Sequence, residues 1–264
     1  MRKIGYFIGG CAAIVLLLSG CGKKQSAENS GNLKANMANK QVVNWSETED
    51  LTTLDPSKLT QPIDITMVGN TNEGLFRLGK NHQLLPGIAT KMSESSNGKV
   101  YTFNLRKNAK WSNGDKVTPK DFEYSWKRTI NPKTASQYGY IFDGIKNANK
   151  IQANKAKPST LGVKALSDQK LQVTLERPIP YFKLLMAFPL FFPQNQKAVE
   201  KYGKVYGTAA DKMVYDGPFK MKGWTGTNEK WTLTANKDYW DKKHVYLTKI
   251  NDQVVKDPST MYNM

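Results

Sequence analysis

Residues 87–136 read "GIATKMSESSNGKVYTFNLRKNAKWSNGDKVTPKDFEYSWKRTINPKTAS", and the order of signals in this stretch decides the fold class. Asn97-Gly98 is a tight-turn dipeptide. In the "VYTFNLR" that follows, Tyr101, Phe103 and Leu105 share one face at period two, the pattern of a half-buried strand. A second Asn-Gly turn at 113–114 leads into Thr118-Pro119-Lys120-Asp121. A hydroxyl at the N-cap, proline at the first helical position and an acid at the third predict a helix start. That helix sets Phe122 and Trp126 one turn apart, hence on one side. A strand and a helix, each with an apolar face, predict a mixed α/β layer.

The same alternation of signals continues outward. Toward the N-terminus, Val43 and Trp45 in "QVVNWSE" alternate with polar residues as in a strand. "LTTLDPSKLTQP" is a loop broken at Asp55-Pro56. Residues 63–78 carry Ile63, Met67, Val68, Leu75 and Phe76 at roughly helical spacing, interrupted by Gly69. Toward the C-terminus, "LGVKALSDQKLQVTLE" predicts a hairpin, with Val163 and Ala165 facing Leu171, Val173 and Leu175. "IPYFKLLMAFPLFFP" is very apolar, but its prolines argue for a buried helix-turn rather than a membrane span. "YDGPFKMKGW" and "EKWTLTANKDYW" predict two further strands, and a last one runs from about Tyr246 to Val255. Strands and short helices interleave without strict alternation or internal repeat.

The first forty residues differ in kind. Arg2 and Lys3 precede an uncharged run from Ile4 to Gly20, which ends in Leu18-Ser19-Gly20-Cys21. This resembles the signal of bacterial lipoproteins, which implies removal of residues 1–20 and acylation of Cys21. The other reading, an uncleaved membrane anchor, suits the short run and its small-residue ending less well. Residues 21–40 are rich in Lys, Asn, Ser, Gly and Ala with almost no large apolar side chain, the composition of a flexible tether. The chain has two cysteines, and cleavage would take Cys11 and leave Cys21 alone, so no disulfide is expected. The domain beyond must hold itself by an apolar core.

The net charge is +17, from 39 basic and 22 acidic residues. No run of five basic residues occurs, and the lysines spread along the whole chain. This favours a generally basic surface suited to an anionic cell envelope over a nucleic-acid groove. Most of the six tryptophans fall in strand-like patterns, which suggests core positions rather than base-stacking platforms.

Catalytic chemistry finds little support. His82 and His244 are the only histidines, each among polar residues, and they read as surface side chains. No His/Cys/Asp/Glu cluster has metal-ligand spacing, so no metal or cofactor is expected. No phosphate loop or Gly-x-Ser-x-Gly elbow is present. Ser96-Asn97-Gly98-Lys99 matches Ser-x-x-Lys formally, but its centre is a hairpin turn that cannot stack Ser on Lys. The expectation is a binding protein, not an enzyme.

Three segments carry a more specific likeness. Residues 87–136, 161–203 and 215–241 resemble, in order, segments of the oligopeptide-binding receptors of ABC importers, the family 5 solute-binding proteins. The resemblance implies an α/β fold like that of the type II periplasmic binding proteins. Residues 41–57 and 180–264 would form lobe I, and 58–179 an inserted domain II. The second lobe would be missing, because the likeness stops where lobe I hands over to it. It further implies an oligopeptide ligand held through its backbone between the lobes, an ABC permease as partner, and a lipid anchor on the outer face of the cytoplasmic membrane. On the matching side it carries over Thr60, Gln61, Pro62, Tyr138 and Tyr140 as ligand-facing residues, whose other reading is ordinary loop and core. An exposed sheet edge is expected in lobe I. The alternative function is a basic surface lipoprotein with an adhesive role.

Overall fold

The computed structural model describes residues 37–263. The signal segment 1–20, Cys21 and the tether as far as residue 36 lie outside the described residues. The strands and helices all belong to one unit, Lys40–Met264. In chain order they are β1 (Val42–Glu47), α1 (Pro62–Thr71), β2 (Phe76–Leu78), β3 (Leu84–Pro86), β4 (Ala89–Glu94) and β5 (Val100–Leu105). Then come α2 (Pro119–Ile130), α3 (Ala148–Gln152), β6 (Val163–Ser167), β7 (Lys170–Thr174), α4 (Phe182–Leu185) and α5 (Gln196–Tyr202). The series closes with β8 (Phe219–Lys222), β9 (Lys230–Ala235), β10 (Lys249–Val254) and α6 (Pro258–Tyr262).

Two four-stranded sheets organise these elements. One is antiparallel throughout, in the order β4-β5-β7-β6. Its strand β5 alternates as the sequence predicts, with Tyr101, Phe103 and Leu105 buried. Helix α2 covers this sheet. It begins at a capping box in which the Thr118 amide and hydroxyl donate to Asp121 Oδ2 at 2.7 and 2.9 Å. Phe122 and Trp126 are fully buried beneath it, each contributing roughly 2–3 kcal/mol by removal from water. Residues 182–191 close the same core: Phe182 packs on Tyr101, and Phe191 on Trp126 and Phe142. The Trp126 indole donates to Phe191 O at 2.9 Å, which fixes the turn.

The second sheet has the order β1-β10-β9-β8, with β1 parallel to β10 and the other pairs antiparallel. A parallel pair needs a long connection, and here it spans nearly the whole described chain. Its core gathers Leu54, Leu59, Met67, Val68, Met221 and Leu233 with their neighbours. The two cores touch at Ser125, whose hydroxyl donates to Phe192 O at 2.7 Å, and at Ser57, 2.7 Å from Thr129 Oγ1.

Two expectations from the sequence need correction. The helical pattern of 63–78 ends at Thr71, and Gly69 lies inside α1. The Asn72 amide still donates to Val68 O, but its backbone is extended, and the Thr71 carbonyl takes the Gly217 amide instead of a helical one. Leu75 and Phe76 then pass into the other core. Trp45 is not a core residue: it is 56% exposed on β1, the edge strand of its sheet.

Candidate functional site

The predicted residues Thr60, Gln61 and Pro62 form the entrance to α1, and one buried carboxylate shapes it. Asp64 Oδ1 accepts from the amides of Thr52 and Thr53 at 2.9 and 3.2 Å. Its Oδ2 accepts from Thr52 Oγ1 at 2.7 Å and from the amides of Gln61 and Thr60 at 3.2 and 3.4 Å. These bonds tie the amides of Thr60 and Gln61, just before the helix, and those of Thr52 and Thr53 to one buried carboxylate. They leave Thr60 half-buried and Gln61 and Pro62 exposed.

Tyr138 and Tyr140 come from the loop after α2. Tyr138 is half-buried against the first core, and its hydroxyl donates to Thr60 O at 3.4 Å. Tyr140 meets it edge-on, with ring centroids 6.0 Å apart, and is 61% exposed. Tyr138, Tyr140 and Thr60 are therefore neighbours in space, with Gln61 and Pro62 adjoining along the chain.

A second layer beneath this surface escaped the sequence reading. Arg128 on α2 donates through Nη1 to Asp55 Oδ1 (2.7 Å), Ser57 Oγ (2.9 Å) and Gln194 Oε1 (2.7 Å). Its Nη2 donates to Asp55 Oδ2 at 2.6 Å. The Gln194 amide donates to Ser57 Oγ at 2.8 Å, and the Tyr206 ring lies 5.4 Å from the guanidinium carbon. This clamp fixes residues 55–58, which lead directly into Thr60. Asp55-Pro56 was legible only as a chain breaker; nothing local signals a partner on α2.

No step of chemistry suggests itself among these groups. His82 is exposed. His244 does have a partner, which its sequence surroundings did not indicate: its Nδ1 lies 2.5 Å from Asp241 Oδ1, while Asp241 Oδ2 accepts from Arg77 at 2.9 Å. The Arg77 and His244 contacts hold the Asp241 carboxyl below its usual range against the opposing effect of burial. Among the described residues no three His, Cys, Asp or Glu side chains could hold a metal ion, and no helix is long and apolar enough to cross a membrane. Beside the half-buried Thr60 the surface presents the exposed Gln61 amide and the exposed Tyr140 ring.

The family model of the bacterial extracellular solute-binding proteins, family 5, matches residues 83–264. The chain belongs to this family. It is 41% identical over 248 residues to the dipeptide-binding protein of Lactococcus lactis subsp. cremoris, covering 93% of this chain and 43% of that protein. It is 37% identical over 245 residues to the oligopeptide-binding protein OppA of Bacillus subtilis, covering 93% and 45%. Among solved structures, Listeria monocytogenes OppA bound to peptide superposes with a TM-score of 0.84 at 45% identity, over 86% of this chain and 45% of that one. The substrate-binding domain of an oligopeptide ABC transporter from Bacillus anthracis gives 0.84 at 46% identity, over 86% and 44%. The mixed α/β fold is thus that of the family 5 solute-binding proteins, and the chain spans less than half the length of these relatives.

Proposed function

We propose that the chain is the first half of an extracytoplasmic receptor that receives oligopeptides for an ABC importer and delivers them to its permease. The observation that carries this reading is kinship with peptide-binding proteins over 93% of the chain. The contact of Thr60 with Tyr138, and of Tyr138 with the exposed Tyr140, adds support. On this reading residues 41–57 and 180–264 act as lobe I and 58–179 as an inserted domain, with α1 packed in the core of the second sheet and residues 182–191 in that of the first. The peptide backbone lies along the α1 entrance as an added extended segment, which makes tolerance of different side chains cheap. Cys21 carries a lipid that holds the receptor to the outer face of the cytoplasmic membrane.

Amide chemical-shift mapping with a short peptide in large excess should move signals at Thr60, Gln61, Tyr138 and Tyr140. Silence at all of them would remove the assigned surface. Metabolic labelling with a fatty acid, present in the wild type and absent in Cys21→Ala, tests the anchor. The net charge of +17 favours a second reading, adhesion to anionic envelope polymers. That binding should weaken strongly with salt, and none at low ionic strength would end it.

A further inference from the structure

Strand β6 is an edge of the first sheet, and a side chain from α2 closes its outward side. The Thr174 amide donates to Gly162 O at 2.7 Å, and Lys164 stands opposite Gln172, so the backbone of residues 162 and 164 faces β7. Successive residues of a strand turn their amides to opposite sides, so those of Val163 and Ala165 point away from the sheet. Both are occupied. The Val163 amide donates to Leu161 O at 2.7 Å, within its own segment. The Ala165 amide donates to Glu123 Oε2 at 2.7 Å, across 42 residues of chain.

The Glu123 carboxylate is fixed from two directions. While Oε2 takes the strand amide, Oε1 is held by Lys127 Nζ, one turn further along α2. Both side chains are 24% exposed, so the contact sits at the rim of the layer where another chain could reach the strand. Past Ala165 the register with β7 slips before Ser167, a bulge that interrupts regular pairing. Plug and bulge therefore fall at adjacent positions of one edge.

An edge strand offers its outward amides and carbonyls to any extended chain that arrives. The residues Val163–Ser167 read VKALS. Antiparallel pairing with a second copy about a two-fold at Ala165 sets Val163 opposite Ser167 and Lys164 opposite Leu166. No lysine meets a lysine, and the two Ala165 residues exchange amide and carbonyl bonds. Charge and register thus leave β6 compatible with its own copy, and the one atom that this pairing needs first is the amide that Glu123 covers. We propose that Glu123 is a built-in plug, which by occupying the Ala165 amide keeps β6 from adding a second copy of this chain to the sheet. Lys127 is its positioning residue. This inference does not rest on the peptide-receptor reading and concerns the β6 edge rather than the Thr60–Tyr140 surface.

Sedimentation velocity over a range of protein concentrations, combined with amide hydrogen exchange, tests it. The wild type should stay monomeric, and so should Glu123→Gln, whose side-chain carbonyl still accepts from Ala165. Glu123→Ala places the strongest helix former on α2, so the helix should persist by circular dichroism. Its Ala165 amide should exchange about tenfold faster in dilute solution, the scale of a lost hydrogen bond to a charged acceptor. As its concentration rises the variant should self-associate, and the same amide should become protected again. Adding Ala165→Pro removes the freed donor at an outward edge position, where proline is tolerated, and should return the variant to monomer. The proposal is overturned if Glu123→Ala stays monomeric throughout, or if the wild type or Glu123→Gln associates as strongly. It is also overturned if Ala165→Pro leaves the association unchanged, which would place the contact on another surface.

Discussion

Arg128 grips Asp55 with both arms of its guanidinium, at 2.7 and 2.6 Å, across 73 residues of chain. Asp55 is 1% exposed, so the pair joins the loop before α1 to helix α2 at the contact between the two cores. A planar, two-pronged donor matches a carboxylate in a way that a lysine ammonium does not. Arg128→Met should destabilise the protein by about 3–5 kcal/mol, because it strands a buried carboxylate. Urea unfolding reads this, and Asp55→Leu combined with Arg128→Met should recover much of the loss. A loss under about 1 kcal/mol in the single variant would show that the clamp is incidental.

Gly207 and Gly223 separate two causes of glycine dependence. Both have positive φ, +74° and +82°. A Cβ on Gly207 would lie 2.4 Å from the Asp55 amide nitrogen, whereas one on Gly223 would meet nothing within 4 Å. Gly223→Ala should cost about 1–2 kcal/mol, the backbone strain alone. Gly207→Ala should cost clearly more and displace Asp55 from Arg128. Equal losses in thermal unfolding would contradict the close approach.

Asp252 gives a pH signature. Its folded carboxyl titrates at about 7 against an ordinary 3.8, so the folded state binds the proton more tightly than the unfolded one. The destabilisation it causes is absent below the ordinary value, grows as pH rises toward 7, and is constant above. Asp252→Asn should therefore raise the melting temperature at about pH 8 and change it little at about pH 4. A gap between variant and wild type that is the same at both would refute the shift.

The two tyrosines should part company. Tyr140→Ala removes an exposed ring and should alter stability by less than about 0.5 kcal/mol while weakening the peptide-induced shifts at Thr60. Tyr138→Phe removes the bond to Thr60 O and should cost about 0.5–1 kcal/mol, detected in unfolding as well as in the shifts.

What could be read ahead of the structure was whatever is encoded locally. The period-two face of Tyr101, Phe103 and Leu105 and the Thr118-Pro119-Lys120-Asp121 cap are written in adjacent residues, and both elements formed there. The end of α1 was not, because its last carbonyl is claimed by Gly217, far along the chain. Trp45 obeys a strand pattern, but only the strand order reveals that β1 lies at an edge. At the site, Thr60 and Tyr138 could be named separately, whereas the bond between them and the Arg128 clamp below are products of packing. Asp252 sits in an ordinary strand sequence; its burial between two tryptophans is a property of register alone.

The parallel pairing of β1 with β10 also has a consequence in time. Some 200 residues separate Glu47 from Lys249, so among the described residues β1 is the first strand synthesised and its partner the last. At ribosomal speeds of about 5–20 residues per second, β1 waits roughly 10–40 s for a neighbour. Throughout that wait Val42, Val43 and Trp45 are an unpaired apolar sequence open to association with other chains. Asn44, Ser46 and Glu47, interspersed among them, keep the waiting strand soluble, and replacing all three with valine should show its damage in yield before it shows in stability.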